Sequence, residues 1–165
     1  MVSGFPASLL IPHSRYNDLA EEDLLQAGYS ILTRSAAAGV DMFVKQHKSS
    51  LFVFLQGHPE YDATSLWREY RRDVVRFLTG ERDDYPPLPA NYLDPDDIRK
   101  CQSFALRATG LRSPELAAAI PDIGEQMRPS PRWRKSAISI YRNWLQQVAD
   151  IRRTRVPSQM MAELR

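Results

Sequence analysis

Three apolar stretches lie close together between residues 29 and 55, and they constrain the fold more than any other feature of the sequence. YSILTRS and VDMFVKQ are separated by the turn-like AAAG, and LFVFL follows the polar HKSS. In the second stretch Val40, Met42 and Val44 alternate with Asp41, a pattern that predicts a half-buried strand. LFVFL is apolar at every position, which predicts an interior strand covered on both faces. The sequence therefore predicts three consecutive strands, the last with neighbours on both sides.

Helical patterns follow the strands. Asp62 or Thr64 can cap a helix that reaches about Thr79, and apolar residues recur at every fourth position from Leu66. Residues 81–96 are rich in proline and aspartate and predict a long surface connection. Further helices are expected in IRKCQSFALRAT, in SPELAAAI and in the final PRWRKSAISIYRNWLQQVADIRR, whose tryptophans are expected in the core. Together these elements predict an α/β protein.

Composition narrows the class of protein. Of the 165 residues, 43% are hydrophobic and 25% are charged, values typical of one globular domain, predicted to span residues 1–165. The net charge of +2 gives no reason to expect a nucleic-acid partner, and the sequence has no zinc-ligand spacing, so no metal is expected. No stretch approaches the ~20 apolar residues that cross a bilayer, and no signal-peptide pattern is present, so no membrane association is expected. Cys101 is the only cysteine, which excludes an internal disulfide and favours a cytoplasmic location.

A histidine and a glutamate follow the third apolar stretch. Gly57 permits a tight turn after the strand, and Pro59 restricts the backbone between His58 and Glu60. Imidazole exchanges protons near neutral pH, most effectively when a carboxylate fixes its tautomer and stabilises the imidazolium. The spacing is therefore compatible with the base and the orienting carboxylate of a nucleophile–His–Glu triad. A surface turn without catalytic function fits the same spacing.

Five segments resemble, in the same order, those of the homoserine O-acyltransferase family, which comprises homoserine O-succinyltransferases and acetyltransferases. They are IPHSRY at residues 11–16, GHPEYD at 57–62, EYRRD at 69–73, NYLDPDD at 91–97 and WRKSAISIYRNWL at 133–145. The resemblance covers nearly the whole chain. It implies the C-terminal portion of a three-layer α/β fold similar to the class I glutamine amidotransferases (flavodoxin-like), with extra C-terminal helices.

The resemblance also implies a reaction. In this family a cysteine takes an acyl group from acyl-CoA and passes it to the hydroxyl of homoserine, a step of methionine biosynthesis that needs no cofactor besides the acyl-CoA co-substrate. The motifs imply a general base at His58, its orienting partner at Glu60, a ligand of the homoserine carboxylate at Arg72 and a substrate contact at Ser14. Helical periodicity alone would instead place Arg72 on a solvated basic face with Arg68.

The resemblance leaves the nucleophile unassigned. The family's cysteine, its oxyanion-hole donors and its acyl-CoA site belong to an upstream half that none of the five segments represents. Cys101 lies in a predicted helix with no tight elbow around it, so we interpret it as a core or surface cysteine and not as the nucleophile. Residues 99–128 exceed the family's usual spacing and are interpreted as a possible insertion.

Two hypotheses follow from these patterns. In the first, the chain supplies the His–Glu part of a Cys–His–Glu triad and acts on homoserine and succinyl-CoA or acetyl-CoA, with an N-terminal half on a separate chain or in a homo-oligomer. In the second, the chain is a non-catalytic remnant or interaction module that keeps the motif without the nucleophile. The residues expected to select the acyl group belong to the upstream half, so the sequence leaves succinyl and acetyl transfer open.

Overall fold

The computed structural model describes residues 5, 8–15, 17–122, 129 and 131–162, with side chains of the last helix up to residue 153. Its elements are, in order, α1 (Glu21–Gln26), β1 (Ser30–Ser35), β2 (Gly39–His47), β3 (Ser50–Leu55), α2 (Ser65–Leu78), α3 (Pro95–Leu111), a 3-10 helix (Pro114–Ala119) and α4 (Arg134–Ala162). The α/β class is as predicted. The chain forms two compact units, one with the sheet, α1 and α4 and the other with α2, α3 and the 3-10 helix.

The sheet in the first unit is antiparallel, and β2 is its middle strand. Met42 pairs with Leu55 on β3, and Ser30 of β1 pairs with Val44. The register of β1 shifts on both sides of Thr33, which marks a bulge there. Because β2 has a neighbour on each side, its first half is the best-protected part of the sheet, with Val40, Asp41, Met42 and Phe43 all buried.

The burial of β2 and β3 reverses the predictions for the two strands. The structure buries both faces of β2 near its start, so the half-buried prediction is wrong there. β3 pairs only with β2 in the described part of the chain, and Phe52 and Leu55 are 50% and 38% exposed, so the prediction of a covered interior strand is also wrong. Phe54 of β3 stacks on Phe43 of β2 with ring centroids 5.1 Å apart. This contact accounts for part of the apolar character of β3. An apolar run specifies hydrophobic contact but not the number of strands beside it.

Helical periodicity predicts α2 well and α4 only in part. The buried residues of α2 lie on one face and include Leu66, Tyr70 and Val74, as predicted from their spacing. At the start of α4, Trp133 and Ile140 are buried, whereas Trp144 is 45% exposed, so its predicted place in the core is wrong for this chain. None of the helices in the described part of the chain combines the length and apolar character that crossing a bilayer requires.

Candidate functional site

The turn after β3 brings a histidine and a carboxylate together. β3 ends at Leu55, and the chain then forms a turn. Gly57 and Pro59 are buried in this turn, whereas His58 is half-buried and Glu60 is exposed. The Nδ1 atom of His58 lies 2.8 Å from Oε1 of Glu60, and the two side chains are 32% and 55% exposed. The predicted geometry, a hydrogen-bonded His–Glu pair at the end of the third strand, is confirmed.

The pairing determines which nitrogen of His58 is available for chemistry. When Nδ1–H is donated to Glu60, Nε2 carries the lone pair and can accept a proton from a hydroxyl group. The carboxylate also stabilises the imidazolium that results. The arrangement is therefore suited to general-base catalysis.

Two hydrogen bonds fasten the turn to the rest of the first unit. The N–H of His58 donates to the carbonyl of Pro12 at 2.8 Å, and the N–H of Gly57 donates to Oδ1 of Asp41 at 3.1 Å. The backbone passes so close that a Cβ on Gly57 would lie 2.4 Å from Cγ2 of Ile11 and 2.7 Å from Oδ1 of Asp41. Glycine is therefore required at this position by the lack of space.

A second histidine–carboxylate pair lies beneath the turn. Nε2 of His13 is 3.3 Å from Oδ1 of Asp41, and the hydroxyl of Thr33 donates to Oδ2 at 3.0 Å. Burial alone would raise the pKa of Asp41, but hydrogen bonds from His13 and Thr33, the charge of His13 and the N–H of Gly57 outweigh it and lower that pKa. Nδ1 of His13 is buried and has no hydrogen-bond partner among the described residues.

Sequence reasoning missed Asp41, because alternation placed it on the solvated face of a half-buried strand. The signal that points to it is an acidic residue within an otherwise apolar strand, which has to find donors wherever that strand is covered. Asp41 and His13 line a cleft of about 760 Å³, whose walls come from the 8–13 segment, β1 and the turn before β2.

Ser14 lies in the segment that supports the turn. This segment is tied to β2 through Arg15, whose Nη1 donates to the carbonyl of Val40 at 3.3 Å and which also pairs with Asp18 at 3.0 Å. Ser14 is half-buried and follows Pro12 and His13, the two residues that contact the turn and its support. Its role as a substrate contact stays a prediction.

Tyr141 on α4 is a further neighbour of the His58–Glu60 pair that the sequence did not reveal. Burial raises the pKa of its hydroxyl, and the negative charge of Glu60 raises it further. Helical spacing could not reveal this neighbour, because it carries no information about which side chains of another element lie opposite.

Arg72 belongs to α2, in the second compact unit. Its side chain is 51% exposed, and Nε donates to Asp73 at 3.0 Å. A small cleft of about 310 Å³ is lined by Tyr61, Ser65, Arg68, Glu69 and Arg72. In that cleft the hydroxyl of Tyr61 donates to Oε1 of Glu69 at 2.7 Å, whereas Oε2 of Glu69 is buried without a hydrogen-bond partner among the described residues. Glu69 is a second residue that the sequence analysis did not single out.

Cys101 is part of the core of the second unit. It lies on α3 and is 1% exposed. Burial and the nearby charge of Asp97 raise the pKa of its thiol to about 11, although Lys100 lowers it slightly. A thiol of this kind is almost entirely protonated at neutral pH and is a poor nucleophile. The interpretation of Cys101 as a core cysteine is confirmed.

Among the described residues, no group of three or more His, Cys, Asp or Glu side chains is placed to hold a metal ion.

Comparison with known sequences identifies the family. The family model described as homoserine O-succinyltransferase matches residues 1–153. The chain belongs to the homoserine O-succinyltransferase family. The predicted resemblance is therefore confirmed at the level of the family, which is one of acyltransferases.

Several curated relatives bear the same name. The homoserine O-succinyltransferase of Methylorubrum extorquens is 47% identical over 150 residues, which are 91% of this chain and 45% of the relative. Those of Rhodopseudomonas palustris and Bradyrhizobium japonicum are 46% and 45% identical and cover 88% and 91% of the chain, corresponding to 43% and 45% of the relatives. The chain thus spans less than half the length of these homoserine O-succinyltransferases. No solved structure matches the chain.

Proposed function

We propose that this chain provides the general-base part of a homoserine O-succinyltransferase of methionine biosynthesis. The observation that carries the proposal is the 2.8 Å contact between Nδ1 of His58 and Oε1 of Glu60 on a turn that is fixed at its backbone. Family membership supports homoserine as acceptor and succinyl-CoA as donor, because the relatives are named for that transfer. In this proposal the thioester is carried by a cysteine that this chain does not contain.

The chemical step assigns a proton transfer to His58. As the hydroxyl oxygen of homoserine attacks the thioester carbonyl, Nε2 of His58 takes the hydroxyl proton, and Glu60 stabilises the imidazolium through Nδ1–H. The new C–O ester bond forms, the C–S bond breaks, and the proton passes from His58 to the departing thiolate. The burial of Cys101, the single cysteine of this chain, and a thiol pKa raised to about 11 support placing the thioester on another cysteine.

The fold proposal concerns the rest of the sheet. We propose that the three antiparallel strands form part of a larger three-layer sheet similar to that of class I glutamine amidotransferases. The exposed apolar side chains of β3 support this proposal, since Phe52 is 50% exposed on a strand that pairs with β2 alone among the described residues. The missing coverage would come from the part of the relatives that the chain does not match.

The cleft on α2 supports a role for Arg72 in binding the amino acid. Homoserine carries a carboxylate, which the planar guanidinium of Arg72 can bind through two hydrogen bonds. It also carries an ammonium group, for which the carboxylate of Glu69, a residue that lines the same cleft, is a suitable acceptor. We therefore propose that Arg72 and Glu69 bind the two charged groups of homoserine.

The proposed function is tested first on the chain alone. Incubated with succinyl-CoA, the purified chain should gain no mass in intact-protein mass spectrometry, because the described residues offer no reactive thiol. Fusing the chain to the unmatched portion of the Methylorubrum extorquens relative should restore transfer of succinate to homoserine. A succinyl adduct on the isolated chain, lost with Cys101→Ser, would make Cys101 the nucleophile. A fusion that folds but has no activity would favour the non-catalytic module.

The substrate residues are tested in the same fusion enzyme. Arg72→Lys keeps the charge but loses the planar fork of the guanidinium. The transition-state stabilisation that kcat/KM for homoserine reports should therefore fall by about 1–3 kcal/mol, while the KM for succinyl-CoA stays unchanged. Arg71→Lys, at the neighbouring exposed position of α2, is the matched control. If the two substitutions change kcat/KM for homoserine equally, Arg72 belongs to a solvated basic face and does not bind the substrate.

A further inference from the structure

A carboxylate outside the His58–Glu60 pair holds the turn that presents it. Asp41 is only 7% exposed, and its Oδ1 accepts the N–H of Gly57, the residue directly before His58. We propose that Asp41 is a positioning residue of the transferase, which fixes the backbone of the 57–60 turn and thereby the orientation in which His58 meets Glu60. The catalytic consequence of this inference rests on the proposed function, whereas the structural part does not.

Three successive backbone N–H groups fix the entry to the turn. The N–H of Gln56 donates to the carbonyl of Asp41 at 2.8 Å, and the N–H of His58 donates to the carbonyl of Pro12 at 2.8 Å. Between them, the N–H of Gly57 donates to the side chain of Asp41 at 3.1 Å. The outer two bonds use main-chain acceptors, which any residue supplies, so the middle bond is the one that depends on the identity of residue 41.

Asp41 also connects the turn to the segment that contains Pro12 and His13 and to β1. Its Oδ1 lies 3.3 Å from Nε2 of His13, which follows the Pro12 carbonyl that receives the N–H of His58. Its Oδ2 is held by the Thr33 hydroxyl at 3.0 Å, and this hydroxyl in turn accepts the N–H of Met42 at 3.0 Å. The carboxylate is therefore fixed in rotation by β1 and contacts both the turn and the segment beneath it.

The chemistry of the contacts favours a carboxylate. Gly57, Thr33 and His13 each present a donor, and all three converge on the two oxygens of Asp41. An asparagine has one acceptor oxygen, so the Thr33 hydroxyl or His13 would have to change from donor to acceptor to pair with its NH₂ group. The lowered pKa of Asp41 is consistent with a carboxylate that stays ionised in spite of its burial.

The structural test uses the full chain and needs no activity. Amide hydrogen exchange of Gly57 and the ¹⁵N signals of the His58 ring are measured by NMR in Asp41→Ala and Asp41→Asn. Exchange at Gly57 should accelerate about tenfold beyond the mean change of the β2–β3 amides in Asp41→Ala, with Asp41→Asn between it and the wild type. The His58 ring signals should shift in the same order. Asp83→Asn, whose parent side chain is 100% exposed, is the control and should leave both signals unchanged.

Results that overturn the structural part are equally defined. If Gly57 and His58 respond no more than the β2–β3 amides, Asp41 supports the fold in general and does not position the turn. If Asp41→Ala does not fold, Asp41→Asn decides the question by the same comparison, because it keeps one acceptor oxygen.

The catalytic arm uses the fusion enzyme. A looser turn misplaces the base but leaves the homoserine cleft unchanged, so Asp41→Asn should lower kcat on the order of 10–100-fold and change the homoserine KM less than about twofold. An unchanged kcat, or a loss confined to KM, overturns the positioning role. If His58→Asn itself leaves kcat unchanged, the proposed function fails, and the NMR comparison still decides whether Asp41 holds the turn.

Discussion

Two histidine–carboxylate pairs lie in the first unit, and they differ in nearly every physical respect. His58 and Glu60 are two residues apart, 2.8 Å from each other and partly exposed. His13 and Asp41 come from distant parts of the chain, are 3.3 Å apart and are mostly buried. The histidine of the exposed pair is 32% exposed, whereas the carboxylate of the buried pair accepts from several donors of the protein.

The difference shows why proximity of a histidine to a carboxylate does not by itself define a base. Asp41 is held by Thr33 and by the N–H of Gly57, so it acts as a structural acceptor. Glu60 contacts His58, two residues before it on the same turn, and both side chains are partly exposed. On the two proposals made above, the buried pair positions the backbone of the turn and the exposed pair exchanges protons.

The largest effect that separates the pairs is expected in catalysis. In the fusion enzyme, His58→Asn removes the proton acceptor and should lower kcat by about 10²–10⁴-fold. His47→Asn changes the exposed histidine at the end of β2 and serves as the matched control, with kcat unchanged. Steady-state kinetics with homoserine and succinyl-CoA measure both. Similar losses for His58→Asn and His47→Asn would remove the catalytic distinction.

A second effect concerns the point where the two pairs meet. Gly57→Ala places a methyl group where Ile11, Asp41 and His13 already lie within 2.4–3.0 Å, and should destabilise the chain by about 1–3 kcal/mol. Gly110→Ala on α3 is the control, because among the described residues no atom outside the local helix backbone lies within 4 Å of the added group and alanine is the better helix former. Urea denaturation followed by circular dichroism compares the two. A Gly57→Ala chain as stable as wild type would mean that the turn is not tightly packed.

The comparison also shows how far sequence reasoning reaches. The His–Pro–Glu spacing predicted a local pair, because two residues on one turn meet wherever the turn is placed. The buried pair joins positions 13 and 41 through a strand register and a bulge at Thr33, neither of which appears in residue spacing. For the same reason α2 was predicted well from its own periodicity, whereas the burial of β2 and β3 depended on the sheet order and was predicted in reverse.

A third effect is the pH dependence of stability. The pKa of Asp41 is lowered below 3.8 in the folded chain, so its ionised form stabilises the fold at all higher pH values, and this contribution is lost as pH falls through the folded pKa. Below about pH 5, the free energy of unfolding should therefore decrease more steeply in wild type than in Asp41→Asn. The groups that face Asp41 are His13, Thr33 and the N–H of Gly57. Asp83→Asn is the control and should follow the wild-type curve, and parallel curves for all three proteins would show that Asp41 is not stabilised as an anion.

The smallest effect is the contribution of the exposed pair to stability. Exposed ion pairs contribute little, since water screens them and ordering the side chains costs entropy, so Glu60→Gln should change the free energy of unfolding by less than about 0.5 kcal/mol. Asp41→Asn, which leaves buried donors without an acceptor, should cost about 1–3 kcal/mol. Urea denaturation at neutral pH gives both values, and an equal or larger cost for Glu60→Gln would contradict the division of roles. The same Glu60→Gln substitution should still lower kcat in the fusion enzyme, because a neutral amide stabilises the imidazolium of His58 less than a carboxylate does.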